Sequence, residues 1–401
     1  MENLNSFTEI TTESWGSRII GSIKSVLFGL LLFIASFIVL WWNEGRAVKT
    51  SQGLDEGASQ VVSADANLLD ENNDGKLVHI SGKVISDEIL KDEEFDFEVN
   101  ALKLRRNIEM YQWIEETEQT KEKETGGSEK TITTYNYKKE WQNTVVNSGD
   151  FKIPEGHVNP SAFPYAEYNQ LVKNATIGAY SLPMSLLHEI DNYSSYAIKK
   201  VDTTKIKNAS LLNEGGANIS EGITVKQKIY IGEGTNSAPQ IGDVKVSFEV
   251  VNSGDEYSLV AQQIDNTFEK FNTSTGTNIE MISLGVISAE NMFEAAHKSN
   301  TITTWVLRFV GFLMMFIGLT LVFKPLVILA DVLPMLGSLL GMGLSLFSGI
   351  ISFSLSFITI AIAWVFFRPV LGITLLAVGI GTIIFFFIKA SQKRKLATMK
   401  S

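Results

Sequence analysis

From Ser25 to Asn43 the chain carries no charge for 19 residues, and it then meets Glu44, Gly45 and Arg46 at once. A helix needs about 20 mostly apolar residues to cross the hydrocarbon core of a bilayer. The start of this chain is therefore committed to a membrane. Trp41 and Trp42 close the run, where an aromatic body can stay in lipid while its N–H reaches water. A cleaved leader would show a shorter apolar core followed by a small-x-small site. This run instead ends in two tryptophans and Asn43, so it reads as a retained anchor.

Three more apolar regions follow residue 300. Ile302 to Phe323 is broken only by Arg308, close enough to one end to snorkel. Val332 to Phe367 is 36 residues without a charge, and Pro369 to Ile388 is another 20. At 1.5 Å per residue the 36-residue run exceeds one span by about 20 Å. Pro334, Gly337, Gly341 and Gly343 all fall in its first third. The expected arrangement has four spans, at 25–43, 302–323, 345–367 and 369–388. Residues 324–344 form an interfacial or re-entrant segment in this reading. Crossing twice would place the C-terminal lysines opposite Arg18 and Lys24, against the bias that keeps basic tails inside.

Charge separates two kinds of material. Of 34 Lys+Arg and 44 Asp+Glu, residues 43–304 hold 24 basic and 40 acidic, a net of −16. The flanks are basic: the tail 1–24 has Arg18 and Lys24, and the tail 389–401 has Lys389, Lys393, Arg394, Lys395 and Lys400. Both tails are thus expected in the cytoplasm, with 44–301 on the other side. An acidic body offers nothing to offset phosphate repulsion, which excludes nucleic acid as a partner. The absence of cysteine excludes disulfides, thiolate metal sites and cysteine nucleophiles.

The middle reads as a β-rich α+β domain. Short runs at 77–85, 95–113, 131–146, 223–231, 244–251 and 257–263 are rich in Val, Ile, Thr and aromatics, which suit a pleated, half-buried surface. Leu102, Leu104, Ile108, Met110 and Ile114 share one strand face; Tyr135, Tyr137, Trp141 and Val145 share another. Between these strands Lys121–Lys130 is charged and centred on Gly126-Gly127, which predicts a long hairpin with a solvated tip. Residues 50–69 read as extended or linker-like. Helices are expected at 183–190 and at 290–299, the latter leading into the second span.

Motifs for chemistry are few. Asp70-Glu71-Asn72-Asn73-Asp74-Gly75 opens like a calcium loop, but Ser81 stands where a bidentate Glu is needed. Asn, Asp and Gly are also ordinary turn residues, and a turn is the reading adopted. His79, His157, His188 and His297 show no ligand spacing, so neither a metal nor a cofactor is expected. No nucleophile elbow, phosphate-binding loop or dinucleotide fingerprint occurs, and the chain is expected not to be an enzyme. In the third span Ser345, Ser348, Ser352, Ser356 and Thr359 recur at spacings of three and four, one polar face along a helix. Such a face either packs against other helices or forms a track for an ion or lipid headgroup. Trp41, Trp42, Trp305 and Trp364 are the expected interfacial anchors.

Idiosyncratic segments then line up in order: WWNEGRAV at 41–48, KLVHISGKV at 76–84, LKLRRNIEMYQWIEE at 102–116 and EWQ at 140–142. They continue with GHVNPSAF at 156–163, IGDVKVSF at 241–248, TWVLR at 304–308 and AWVFFRP at 363–369. The chain resembles the LUMA family of four-span membrane proteins. The resemblance implies both tails on one side, a large lumenal or periplasmic domain, and oligomerisation. In animals it implies the endoplasmic reticulum and inner nuclear membrane, with lamins and emerin as partners. In bacteria, where similar proteins occur, it implies the inner membrane without those partners. Asn43, Glu44 and Arg46 fall in the first motif and Arg368 in the last, all expected at one membrane face. A contact from Glu44 or Asn43 to Arg368 is one expectation; separate anchoring of each helix end is the other.

The functional expectation is a non-enzymatic integral membrane scaffold or sensor. It would be homo-oligomeric, in contact with membrane lipids and binding other envelope membrane proteins through its outer domain. The alternative is a channel or lipid-handling protein using the serine face.

Overall fold

The apolar run at Ser25 is the middle of a far longer helix. In the computed structural model, which describes residues 5–196, 206–214, 226–370 and 372–374, α1 spans Trp15–Gln60. Its 46 residues reach about 69 Å at 1.5 Å per residue. Ser14 caps its start, the hydroxyl accepting from the Ser17 amide. Residues 50–60, expected to be extended, are thus helical. Low helix propensity around Gly53 and Gly57 is overridden by packing. A Cβ at Gly53 would lie 2.5 Å from Thr277, and one at Gly57 would lie 2.2 Å from Ile279. These glycines are the flat face on which the helix meets the domain.

A short helix, α2 (Met184–Glu189), lies in the domain, and two long ones follow it. Helix α3 spans Ala289–Ala330 and α4 spans Pro334–Phe367. With α1 they are three helices long and apolar enough to cross a membrane. The expected re-entrant stretch 324–344 comprises the last turns of α3, a three-residue turn and the first turns of α4. Gly337 is required there, since a Cβ on it would collide with Asp331 at the end of α3. The expected fourth span, 369–388, lies almost wholly outside the described residues, as does the basic tail 389–401.

The domain is built of two main sheets from the chain between α1 and α3 together with one strand from before α1. Part of the expected N-terminal tail 1–24 is therefore sheet, because Ser6–Glu13 pairs with the long hairpin. Its principal strands are β1 (Ser6–Glu13), β2 (Leu77–Ile85), β3 (Ala101–Lys123), β4 (Glu129–Gln142), β5 (Val244–Asn252) and β6 (Glu256–Ile264). The first sheet runs in the order β1, β4, β3, β5, then 226–231 and 209–214. The second centres on the antiparallel pair β2 and β6. The face foreseen on β3 is buried: Leu102, Leu104, Ile108 and Met110 are at most 1% exposed. They share one core with Ile80, Val84, Leu259 and Ala261 of the second sheet and with Leu186 and Leu187 of α2. The other face of the second sheet is buried too. Leu77 and Val260 join Leu54 of α1, Ile279, and Met292 and Phe293 of α3 in a smaller cluster. Sheet, sheet and helices thus form three layers, with the helices continuing into the membrane-competent segments.

Asp70–Gly75 is a turn: Asp70 Oδ1 accepts from the Asn72 amide and Asp74 Oδ1 from the Asp265 amide. His157 stacks on Tyr137 and meets the edge of Trp113, inside the sheet's margin. The adjoining Tyr137 hydroxyl donates to Glu115, and burial together with that carboxylate pushes the phenol up to about 12.

The long hairpin departs from expectation at its tip. Instead of ending in solvent, it reaches the start of α1 and the α3–α4 turn. The Gly126 amide donates to the Val332 carbonyl, and Lys123 pairs with Asp331 at 2.6 Å. The charged tip residues find buried opposite charges there, which a solvated loop would not offer.

Replacing Gly57 with Leu should detach the top of α1 from the domain. The expected loss is about 1–3 kcal/mol, the usual effect of overpacking. It is read as a lower unfolding midpoint in detergent, with faster amide exchange at residues 278–284.

Candidate functional site

Where the uncharged run of α1 ends, three helices are tied by one carboxylate. Glu44 is fully buried. Its Oε1 accepts from Arg308 Nε at 2.6 Å and its Oε2 from Arg308 Nη2 at 2.8 Å. The same Oε2 accepts from Trp364 Nε1 at 2.7 Å, bringing in α4. The guanidinium of Arg308 also lies over the rings of Trp305 and Trp364, at 4.8 and 5.6 Å to their centroids. Planar charge, bidentate geometry and flanking aromatics are the conditions under which an arginine pair survives away from water.

Asn43, Thr304 and Asn300, with Arg46, complete the layer. Asn43 is fully buried and donates to the Thr304 carbonyl at 3.0 Å. Arg46 donates to Asn300 Oδ1, Thr304 Oγ1 and Asn43 Oδ1, while Asn300 returns a bond to the Ala47 carbonyl. Burial lowers the Arg46 pKa, with the Glu44 charge acting against the shift. Next to the pair, Gly45 leaves room for the Phe367 ring, on which Trp41 also packs.

The expected tie from Glu44 to Arg368 is therefore replaced by one to Arg308. Both carboxylate oxygens are occupied, and Arg368 stands just past the end of α4, where with Val48, Ser51 and Gln52 it lines a shallow pocket. Arg308 was legible as the lone charge within Ile302–Phe323, but snorkelling was the simpler account of it. Its place one turn after Thr304, which bonds Asn43 and Arg46, was the missed signal.

A second charged layer lies at the opposite end of the apolar segments. Asp331 is fully buried at the C-terminus of α3; it accepts from Arg18 Nη2 and from Lys123 Nζ, each at 2.6 Å. Arg18 also pairs with Glu129 at 3.2 Å and donates to the Gly127 carbonyl. Trp15 Nε1 donates to the Ile328 carbonyl. The start of α1, the hairpin tip and the end of α3 meet here, and from composition only Asp331 stood out.

The serine face is divided. Ser348 and Ser352 are fully buried, Ser356 and Thr359 are nearly so, and Ser345 is exposed. Ser356 approaches Met315 Sδ at 3.7 Å, whereas the Ser348 and Ser352 hydroxyls find no partner among the described residues. The tryptophans divide as well: Trp42 and Trp305 are largely exposed, while Trp41 and Trp364 are engaged between helices.

Apolar helices crossing at buried ion pairs, with a β domain inserted between the first two, define an integral membrane protein. The profile of the family Transmembrane protein 43 matches residues 110–369. Human Transmembrane protein 43 is 32% identical over 351 residues, covering 85% of this chain and 84% of its own. The orangutan (Pongo abelii) protein is 31% identical over 388 residues, covering 94% and 91%. The Drosophila melanogaster homolog is 30% identical over 368 residues, covering 90% and 93%. The chain belongs to this family, which is the LUMA family. No solved structure matches it.

Glu44→Gln should leave Arg308 mostly enclosed and uncompensated, lowering stability by about 3 kcal/mol. The double variant Glu44→Gln with Arg308→Met should unfold closer to the wild type than Glu44→Gln alone. Unfolding midpoints in a mild detergent check both expectations.

Proposed function

We propose that the protein is a non-enzymatic scaffold of its membrane, four-span and oligomeric. It holds the body of the β domain on one side and the start of α1 and the C-terminal tail on the other, with β1 of the N-terminal tail joined to the long hairpin. The observation that carries this reading is the use made of its buried charges. Glu44 bonds Arg308 and Asp331 bonds Arg18, each pair joining α1 to α3, and both carboxylates are fully buried. Charges placed this way fix helix geometry and leave the domain as the part that meets other components. Envelope membrane proteins are its proposed partners, with the inner membrane as the site in a bacterium and the endoplasmic reticulum or inner nuclear membrane in an animal.

Crosslinking from native membranes tests the reading. Lysines of the β domain should recover the same membrane-envelope proteins repeatedly, and the solubilised chain should elute as a multimer. The channel alternative makes a different demand on the serine face. Flux through reconstituted vesicles that Ser348→Leu and Ser352→Leu abolish, without a change in oligomer size, would replace the scaffold reading.

A further inference from the structure

The ribbon formed by β1, β4 and β3 is the part of the fold that a bilayer cannot accept alone. Its tip is held at Arg18 and Asp331, and its base belongs to the domain that packs on Gly53 and Gly57 of α1. From Arg18 to Glu44 α1 rises about 39 Å at 1.5 Å per residue. Beyond Tyr111, where β3 last bonds the β5 side through the Asp243 carbonyl, β3 extends about 40 Å at 3.3 Å per residue. The ribbon therefore runs at the depth of the uncharged segment Ser25–Asn43. Yet one face carries Glu9, Thr11, Gln119 and Lys121, and the other carries Glu116, Glu118 and Lys130. Lipid solvates neither these side chains nor an open strand edge.

Among the described residues both edges are open. The Tyr111 amide and carbonyl bond towards β5, and those of Trp113 bond the Asn159 side chain. By the two-residue alternation of a ladder, Glu115, Thr117, Gln119, Lys121 and Lys123 direct their backbone groups to the same edge. Among the described residues no strand pairs with them. On β1 the Asn5 carbonyl accepts from the Tyr137 amide, so Ser6, Thr8, Ile10 and Thr12 direct theirs away from β4.

We propose that these two edges pair between copies of the chain, β3 of one against β1 of the next, closing a ring whose ribbons face water at membrane depth. This rests on the oligomeric reading above and names the surface that makes the oligomer. Three features of the ribbon fit a second copy as the occupant. β1 and β3 are both antiparallel to β4, so they run the same way and can form a parallel ladder. Without any slip, Gln119 stands opposite Glu9, and its backbone groups meet those of Thr8 and Ile10, which point outward. The same register sets Lys123 beside Glu13 and Lys121 beside Thr11, while neutral Thr8, Ile10 and Thr12 lie beside Glu118, Thr120 and Glu122. No like charges are opposed.

The chain has no cysteine, so introduced thiols report alone. Ile10→Cys combined with Thr120→Cys should, on mild oxidation in membranes, give a ladder of dimers and higher multimers. Within one copy these positions are separated by β4, too far apart for a disulfide, and either single variant should stay monomeric on the gel. In sealed vesicles Glu118→Cys should react with a charged maleimide at least tenfold faster than Phe28→Cys on the exposed face of α1. An absent ladder from Ile10→Cys paired in turn with Glu118→Cys, Thr120→Cys and Glu122→Cys, in protein that still elutes as a multimer, overturns the edge pairing. Equal protection of Glu118→Cys and Phe28→Cys overturns the water-facing ribbon. Elution of the unmodified chain as a monomer overturns the oligomeric reading itself, and this proposal with it.

Discussion

A carboxylate with no water around it must be satisfied completely, and that constraint on Glu44 organises the helices. Two bonds from Arg308 and one from Trp364 fix the rotation and height of α3 and α4 against α1 together. Apolar packing alone would not do this, because side chains in lipid gain little by choosing one helix over another. Small residues then make the fixed geometry tight. Gly311 admits Leu40 on the next turn, and further along Gly29 and Gly318 bring the two backbones together, each leaving space for the other's carbonyl. Replacing the ion pair would release the register on which those close approaches depend.

The Asp331 layer repeats the logic at the other end, with one difference. Its partners come from the start of α1 and from a β-hairpin rooted in the distant domain. Two charged layers thus bracket the apolar segments, the first joining helices and the second joining helices to sheet. Lys123 and Arg18 share one carboxylate, so the hairpin tip and the start of α1 are held by the same group. An arrangement of this kind makes the ribbon part of the helical frame instead of an appendage to the domain.

Much of the frame was readable from residues. Leu102, Leu104, Ile108 and Met110 declared a buried strand face by their alternation, and the strand at 77–85 was bounded as the structure has it. Length, lack of charge and flanking tryptophans are enough to identify the apolar helices. Three things were not readable, for different reasons. The helix through Gln60 was hidden because Gly53 and Gly57 look like helix breakers until the surface they touch is known. Arg308 was hidden because a lone arginine near a span's end has a sufficient local explanation, while its true partner is 264 residues away. The docked hairpin tip was hidden because Lys, Glu and Gly at a turn describe solvent exposure equally well. In each case local composition was correct about propensity, and a long-range partner decided the outcome.

Continuity between membrane and domain follows from these same features. α1 passes from the apolar segment into the domain without a break, and Leu54 on its upper part shares a cluster with Leu77 and Val260 of the central sheet. That sheet is buried on both faces, against the first sheet on one side and against α1 and α3 on the other. A hinge needs a few residues free to change their backbone angles, and α1 offers none between Arg18 and Gln60 that is not helical. Rotation or tilt of α1 must therefore be carried into the sheet as rigid displacement, and from the sheet into β3 and the ribbon. Glu44 and Asp331 lie toward the two ends of that rigid frame.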